Sequence, residues 1–318
     1  MLRPGKACSP YRPPEGQGLP DRKLKIKLQA MTGIEVDDSR EETVGRFRVR
    51  RALPRRGRRT VGAWCFADHM GPADVTEGAG LDVGPHPHIG LQTVTWLLDG
   101  QALHKDTLGS EQVISPGQLN LMTAGSAVAH AEEATGRYHG TLEGIQLWIA
   151  QPEATRNGAA AFEHHAELPQ VEHDGAVATV LVGEHHGVRS PARHDTPLVG
   201  VDLDLRERST VPLRPDFEHA LVVLRGSIAV DGEKVVPGKL AQLGLGRDEL
   251  HIEVAADSRV MLLGGIPFDE PLMMWWNFVA RTRVEIDAAY ASWRDQDDRF
   301  GRVQSSLPII PAAAPFWQ

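Results

Sequence analysis

Short apolar runs separated by glycine and proline dominate the middle of the chain. The run TVTWLL at 93–98 ends at Asp99-Gly100, a dipeptide typical of two-residue hairpins, and Pro116-Gly117 marks a further turn. Similar runs recur at 143–150, 198–205, 219–236, 240–245 and 258–265. Runs this short, with turn residues between them, predict many β-strands arranged in a barrel or sandwich.

The last part of the chain has a different pattern. The stretch MMWWNFVARTRVEIDAAYASWR, from Met273 to Arg294, has a helical composition and is followed by the polar sequence DQDDR. We therefore expect strands through the body of the chain and one helix near its C-terminus. This order predicts an all-β protein and argues against alternating strand–helix units.

The chain also repeats itself. WLLDGQAL resembles VVLRGSIAV, which aligns Gly100 with Gly226, and SPGQLNLMTAG resembles VPGKLAQLGLG, which aligns Gly117 with Gly238. The same order of strand, glycine turn, Pro-Gly turn and strand occurs twice and predicts two related β-barrels in one chain. The predicted division is a disordered lead-in at 1–30, a first barrel at 31–155, a polar connector at 156–197, a second barrel with the helix at 198–296, and a tail at 297–318.

Composition and charge narrow the function classes. The 318 residues carry a net charge of −8 with a pI near 6.0, so we do not expect general binding to nucleic acid or to an anionic membrane. No apolar run approaches the roughly 20 residues that cross a bilayer, and the N-terminal stretch lacks the apolar region of a secretory signal. Cys8 and Cys65 are too few for a disulfide framework and fit a reducing, cytoplasmic location.

One local run of charge departs from this balance. Eight arginines lie between Arg46 and Arg59. Because Phe47 and Val49 alternate with arginines, we expect a surface hairpin with these two side chains inward and the arginines in solvent. A nucleic-acid patch is the alternative interpretation.

Two histidines stand one residue apart in GPHPHIG. Residues i and i+2 of a strand share a face, with Cβ atoms about 7 Å apart, so His86 and His88 can converge on one ion. The run VAHAEE repeats this spacing with His130 and Glu132. If the two strands lie side by side, three imidazoles and one carboxylate meet, a donor set that suits iron, manganese, nickel, copper, cobalt or zinc. Four protein ligands would leave metal positions open for small molecules, whereas the alternative is a set of hydrogen-bonded histidines.

The remaining histidines are expected to be structural. The adjacent pairs at 164–165 and 185–186 are predicted to lie exposed in loops, where neighbouring side chains diverge. In the second barrel, the repeat aligns the four ligand positions with Pro212, Arg214, His251 and Glu253. Half of the ligand set is therefore missing, and we expect no metal there. No nucleophile elbow, zinc-protease motif, dinucleotide fingerprint or P-loop occurs, so a metal is the chemistry that the sequence indicates.

Several of these motifs together resemble the pirin family of the cupin superfamily. They are FADHMGP at 66–72, GPHPHIGLQTVTWLLDG, HKDTLG, PGQLNLMTAG, HAEE, GIQLW, and GGIPFDEP followed by WWNFV. The resemblance runs from about Gly33 to Arg294. It implies a bicupin, with two jelly-roll-type cupin β-barrels, a C-terminal helix, and a metal in the first barrel only.

The resemblance also implies a ligand set. Pirins bind iron through the two histidines of the HxH strand and a later histidine and glutamate, which correspond to His86, His88, His130 and Glu132. We therefore expect one divalent metal, with Fe(II) first. The general cupin pattern has a glutamate where this chain has Gln92, so Glu132 must supply the carboxylate. Gln92, His69 and His104 are candidates for contacts to the ligands, with hydrogen bonding in the core as the alternative.

The family resemblance implies two functions. Some pirins resemble quercetin 2,3-dioxygenases, which open the ring of flavonols with O2, and Glu132 would then be the catalytic base at a flavonol hydroxyl. Other pirins look like redox-sensitive regulators that act through protein partners, as transcriptional cofactors or modulators of metabolic enzymes, and the stretch from Arg46 to Arg59 would then be the surface to study. A bicupin that binds another small molecule is a third interpretation. The sequence favours the dioxygenase only slightly. Open metal positions fit both catalysis and redox sensing, and the sequence does not reveal the pocket walls that would select a substrate.

Overall fold

The computed structural model of the chain describes residues 33–57, 59–76 and 80–317. The lead-in predicted at 1–30 lies outside these residues. The described residues form 23 strands and a single helix, α1 (Arg283–Asp295). No described helix is long and apolar enough to span a membrane. The predicted all-β class with one C-terminal helix is confirmed.

Two antiparallel sheets make up the first half of the fold. The strands of the N-terminal part are β1 (Glu35–Asp38), β2 (Arg40–Val44), β3 (Phe47–Leu53), β4 (Trp64–Val75), β5 (Val83–His88), β6 (Leu91–Asp99), β7 (Ala102–Asp106), β8 (Glu111–Ile114), β9 (Leu119–Thr123), β10 (Val128–Glu133), β11 (Gly140–Ala150) and β12 (Ala161–His165). A seven-stranded sheet has the order β12-β9-β6-β11-β4-β3-β2, and a four-stranded sheet has the order β5-β10-β7-β8. Apolar side chains of both sheets pack together, among them Val49, Met70, Val83 and Ile114. The sheets remain open at their edges, so this half is a jelly-roll-type sandwich rather than a closed barrel.

A ten-stranded sheet forms the second half. Its part of the chain contains β13 (Gln170–His173), β14 (Ala176–His185), β15 (Val188–Arg189), β16 (Leu198–Leu205), β17 (Ser209–Pro212), β18 (Glu218–Val230), β19 (Glu233–Val235), β20 (Lys239–Gly244), β21 (Glu249–Gly265), β22 (Met273–Trp275) and β23 (Phe278–Ala280). The main path is β1-β20-β18-β21-β16-β14-β13. Strand β21 pairs through its first residues with β17 and through its last residues with β16. This long strand therefore joins β17 to the main path of the sheet.

The two halves share a core. Trp64 of β4 is fully buried, and its Nε1–H donates to the carbonyl oxygens of Val199 and Gly264 at 3.1 and 3.2 Å. Trp96 of β6 reaches across in the same way and donates to Asp202 at 2.9 Å. These contacts bury the indole N–H groups of two large aromatic side chains without leaving them unpaired. The halves therefore pack as one unit.

Both ends of the described chain cross between the halves. Strand β1, from the N-terminal part, adds to the second sheet by pairing with β20, with Val36 opposite Ala241. The segment after α1 returns to the first half, where the N–H of Ile310 donates to the carbonyl of Pro85 at 2.9 Å. The described part of the tail predicted at 297–318 thus reaches β5 at Ile310. Neither crossing could be expected from local sequence pattern.

The segment at 156–197, predicted as a polar connector, contains four strands. Strand β12 extends the first sheet by pairing with β9, and β13 to β15 belong to the second half. Strands β12 and β13 lie at the outer ends of their sheets, where polar side chains can reach solvent. Their composition therefore resembled that of a loop.

The hairpin predicted at Asp99-Gly100 is wrong. Strand β6 pairs with β9 and β11, whereas β7 pairs with β8 and β10 in the other sheet. Gly100 has a φ of +97°, which favours glycine, but the turn carries the chain between sheets instead of folding it back. Pro116-Gly117 likewise joins strands of different sheets.

The predicted helix from Met273 to Arg294 is correct only in its second half. Strands β22 and β23 pair as a short hairpin over the first residues. The helix begins after Thr282, whose hydroxyl accepts from the N–H of Glu285 while the carboxylate of Glu285 accepts from the N–H of Thr282. This capping box in TRVE was the local signal for the true start.

The arginine-rich stretch forms strand β3 and its connections. Phe47 and Val49 are buried and Arg48 is exposed, so the predicted alternation is confirmed. Arg51 departs from it, because its guanidinium contacts the buried Asp68 with both N–O distances at 2.8 Å.

Candidate metal centre

Strands β5 and β10 place three of the predicted residues together. The strands are antiparallel, with His86 opposite His130 and His88 opposite Val128. The imidazole centroids lie 5.1 Å apart for His86 and His88, 4.3 Å for His86 and His130, and 5.0 Å for His88 and His130. One ring nitrogen from each histidine lies within 4.8 Å of the other two. All three side chains are buried, so the strand periodicity did bring the imidazoles to one point.

Glu132 lines the same cavity, but its carboxylate oxygens do not lie within 4.8 Å of all three ring nitrogens. It follows His130 on the same face of β10, and its Oε1 accepts a hydrogen bond from the Thr95 hydroxyl at 3.3 Å. Burial raises the pKa of Glu132 above its ordinary value, while the nearby His104 and the Thr95 hydrogen bond counteract the rise. The carboxylate is therefore held beside the histidines by a residue of the opposite sheet.

The three imidazoles are neutral at physiological pH. Burial lowers the pKa of His86 to about 4 and holds those of His88 and His130 well below the ordinary value. Backbone carbonyls of Gly84 and Asn277 lie 2.9 and 3.0 Å from the Nδ1 atoms of His86 and His88. A carbonyl only accepts, so each Nδ1 carries the proton and each Nε2 keeps its lone pair.

This donor set fits a divalent metal. The Nε2 atoms of His88 and His130 are 3.1 Å apart, which brings two ligand nitrogens to one position. Neutral imidazole is the form that binds metal, and a carboxylate beside three imidazoles suits the borderline first-row ions. The residues present could therefore hold such an ion.

An aromatic cavity of about 370 Å³ opens onto the histidines. Phe66 and Trp148 stack in its wall with centroids 4.0 Å apart, and Trp148 meets the ring of His88 edge-on at 5.1 Å. The Arg51 guanidinium lies 4.7 Å over the Phe66 ring, and Oε1 of Gln146 lies 3.0 Å from the Thr95 hydroxyl oxygen. The cavity thus combines flat apolar walls with a few fixed polar groups, as small-molecule sites do.

Several of these wall residues were missed by the sequence analysis. Phe66 and Asp68 alternate on β4, and Gln146 and Trp148 alternate on β11, so period two was present in both strands. Both strands are buried on both faces, which hides the direction of a single side chain. Ile310 lines the cavity from the C-terminal tail, and no local signal could have placed it there.

Of the three predicted neighbours of the ligands, one contacts a ligand. Nδ1 of His104 lies 3.4 Å from Nδ1 of His130. Gln92 instead donates to the Thr123 hydroxyl at 3.0 Å, and His69 pairs with Glu143 at 3.1 Å. Neither Gln92 nor His69 lines the cavity.

The predictions for the other histidines need correction. His164 and His165 are half-buried on β12, and His185 is buried at the end of β14, so these three side chains are not solvent-exposed, whereas His186 is exposed as predicted. The ring of His185 lies 5.8 Å from the ring of His173 on β13, a contact between strands that local sequence cannot reveal. His251 and Glu253 are exposed on β21.

The sandwich fold with a buried histidine triad defines a protein of the bicupin class. The sequence matches the Pirin family model at residues 46–149 and the Pirin C-terminal cupin domain at 198–301. The chain belongs to the pirin family.

Relatives and solved structures agree with this assignment. A Pseudomonas aeruginosa protein named as a candidate quercetin 2,3-dioxygenase is 47% identical over 279 residues, which cover 85% of this chain and 88% of that protein. A pirin-like protein from Caulobacter vibrioides is 39% identical over 267 residues, covering 81% of this chain and 92% of that protein. The crystal structure of quercetin 2,3-dioxygenase from Acinetobacter baumannii is similar with a TM-score of 0.88 at 43% identity, covering 91% of this chain and 98% of that chain.

Proposed function

We propose that this protein is a metal-dependent dioxygenase that opens the ring of quercetin-type flavonols with O2. The observation that carries the proposal is the convergence of three neutral imidazoles at an aromatic cavity of about 370 Å³. The similarity to a protein of known structure named quercetin 2,3-dioxygenase supports it. The first half of the fold would be the catalytic cupin domain, and the second half would support it.

His86, His88, His130 and Glu132 would hold the metal, with Fe(II) as the proposed ion. Three nitrogens and one carboxylate oxygen suit iron and its first-row neighbours. When bound, the metal would supply a Lewis acid for a phenolic oxygen and electron-transfer chemistry toward O2.

The cavity walls would bind and orient the flavonol. Phe66 and Trp148 offer flat apolar surface next to His88, which fits a planar aromatic ring. The paired Arg51 and Asp68, together with Gln146, are the polar groups that could meet the ring hydroxyls. Burial of the walls excludes water from the bound ring and strengthens these polar contacts.

Glu132 would act as the proton acceptor. Thr95 donates to Oε1 and so leaves Oε2 to take the proton of the flavonol hydroxyl. Glu132 lines the cavity beside the histidines, so its carboxylate would be within reach of a hydroxyl bound there. The neutral histidines carry no extra proton to donate and would serve as metal ligands.

Oxygen uptake with quercetin tests this proposal. Iron-loaded wild-type protein should consume one O2 per flavonol lost. Glu132→Gln, compared at equal iron content because Glu132 is also a proposed ligand, should lose at least 100-fold in rate, within the about 10²–10⁴ of general-base catalysis. Glu133→Gln is the matched control, because Glu133 pairs with Lys105 at 3.0 Å and does not line the cavity. Iron bound in the wild type without oxygen uptake would contradict the dioxygenase and favour a regulatory pirin that acts through protein partners.

A further inference from the structure

His104 of strand β7 joins a buried carboxylate to one of the candidate ligands. Its Nε2 lies 3.1 Å from Oδ2 of Asp106, and its Nδ1 lies 3.4 Å from Nδ1 of His130. All three side chains are buried. The ring of His104 also stacks on Phe162 with a centroid distance of 4.3 Å and an interplanar angle of 13°. The imidazole of His104 is thus fixed on three sides.

Asp106 is held as an anion in this position. Its Oδ1 accepts the N–H groups of Leu108 and Ser110 at 2.8 and 2.9 Å. Burial alone would raise the pKa of Asp106, but the hydrogen bonds from His104 and Ser110 outweigh it and lower the pKa below the ordinary value. Oδ2 therefore remains an acceptor for His104.

This acceptor determines the proton positions along the chain of contacts. Nε2–H of His104 donates to Asp106, which leaves Nδ1 of His104 as the atom that faces His130 and can accept from it. Nδ1–H of His130 can then donate to Nδ1 of His104, and Nε2 of His130 is left without a proton. This is the atom that lies 3.1 Å from Nε2 of His88.

His130 differs here from the other two histidines. His86 and His88 each place Nδ1 against a neutral backbone carbonyl, whereas His130 is linked to an anion through a second imidazole. Groups that orient a ligand histidine also raise its basicity, and an anion does so more than a carbonyl. The hydrogen-bonded link from Asp106 through His104 therefore places negative charge behind His130 and not behind the other two histidines of the metal site.

We propose that His104 is a positioning residue that, backed by Asp106, fixes His130 with Nε2 free for the metal and increases the electron donation of that ligand. The inference rests on the proposed metal site. Phe162, which lies in the segment predicted as a connector, would hold the His104 ring in place by stacking on it.

Nitrogen NMR of the metal-free protein tests the proton positions directly. Long-range proton–nitrogen spectra should show His130 protonated at Nδ1 in the wild type, and a mixture of both tautomers in His104→Leu. A wild-type His130 protonated at Nε2 would overturn the proposal. Since neither metal nor flavonol is present, this result is independent of whether the protein is a dioxygenase.

Metal affinity and redox potential test the effect on the ligand. Competition of Fe(II) against a chelator should show affinity 10- to 100-fold weaker in Asp106→Asn than in the wild type. His104→Asn retains an acceptor near Nδ1 of His130 and should bind Fe(II) more tightly than His104→Leu. The Fe(III)/Fe(II) potential should rise in Asp106→Asn, because the lost negative charge had favoured Fe(III).

The matched control is Glu163→Gln, which removes the carboxylate 3.0 Å from His165 without touching the cavity. It should leave both affinity and potential unchanged. An Asp106→Asn protein with wild-type potential and affinity would overturn the proposal even if flavonol turnover were established. Loss of turnover in that variant with unchanged potential would count against it as well, since a general structural defect lowers activity without moving the potential.

Discussion

The buried His219 makes the stability of the protein depend on pH. His219 of β18 is 3% exposed, and burial lowers its pKa from 6.5 to about 4, with smaller contributions from neighbouring charges. In the unfolded chain its pKa is the ordinary 6.5, so between pH 6.5 and 4 the unfolded state binds the extra proton. The free energy of unfolding therefore decreases as the pH falls from 6.5 to 4.

The size of the effect follows from the two pKa values. A pH of 5 is 1.5 units below the pKa of 6.5 that His219 has in the unfolded chain, so the unfolded side chain is protonated. Folded His219, with a pKa of about 4, is still neutral at this pH. At about 1.36 kcal/mol per unit, His219 alone removes about 2 kcal/mol between pH 7 and pH 5. His185 has a similar lowered pKa of about 4 and adds to the pH dependence of the whole protein.

The assay is urea unfolding of chelator-treated wild-type protein and His219→Gln at pH 7 and pH 5. Glutamine stays polar but does not titrate, so the variant should lose about 2 kcal/mol less than the wild type over this interval. Titration of the other histidines is common to both proteins and cancels in the difference. Equal losses in the two proteins, at equal dependence on urea, would refute a neutral buried His219.

Three further predictions concern the metal, the core and the helix. His86→Ala should lose most of its bound metal, as measured by elemental mass spectrometry of the purified protein. His251 is exposed, so the control variant His251→Ala should keep one ion per chain. Gly200→Ala should lower the free energy of unfolding by about 1–3 kcal/mol in urea, because its Cβ would lie 2.8 Å from the Trp64 ring; no change would show that this interface is loose. Thr282→Ala should cost about 1 kcal/mol through loss of the capping box, and an unchanged midpoint would mean that the helix start carries no stability.

The histidine positions could be predicted because strand geometry is local. Residues that are two apart on a strand lie on the same face. This rule alone placed His86 beside His88 and His130 beside Glu132. The pairing of β5 with β10, which brings the two sets together, follows from the jelly-roll topology that the family resemblance implied. Local pattern and family together were therefore sufficient for the candidate ligands.

Features that depend on distant contacts were not predictable in the same way. Asp99-Gly100 was interpreted as a hairpin because its sequence describes a turn but not the sheet to which the next strand belongs. Trp275 was placed in a helix because apolar residues in a short strand pair and in a helix have the same composition. The cavity wall required Ile310, which follows 24 residues after Ile286 of α1 and reaches β5 only through the return of the tail.

The measurement that tests the central claim most directly is anomalous X-ray diffraction from crystals grown with Fe(II), recorded on both sides of the iron absorption edge. We expect one strong iron peak per chain, at a position where the ion is coordinated by Nε2 of His86, His88 and His130 and by the carboxylate of Glu132. A peak elsewhere in the molecule, or no peak in crystals of protein that contains iron by elemental assay, would contradict this expectation.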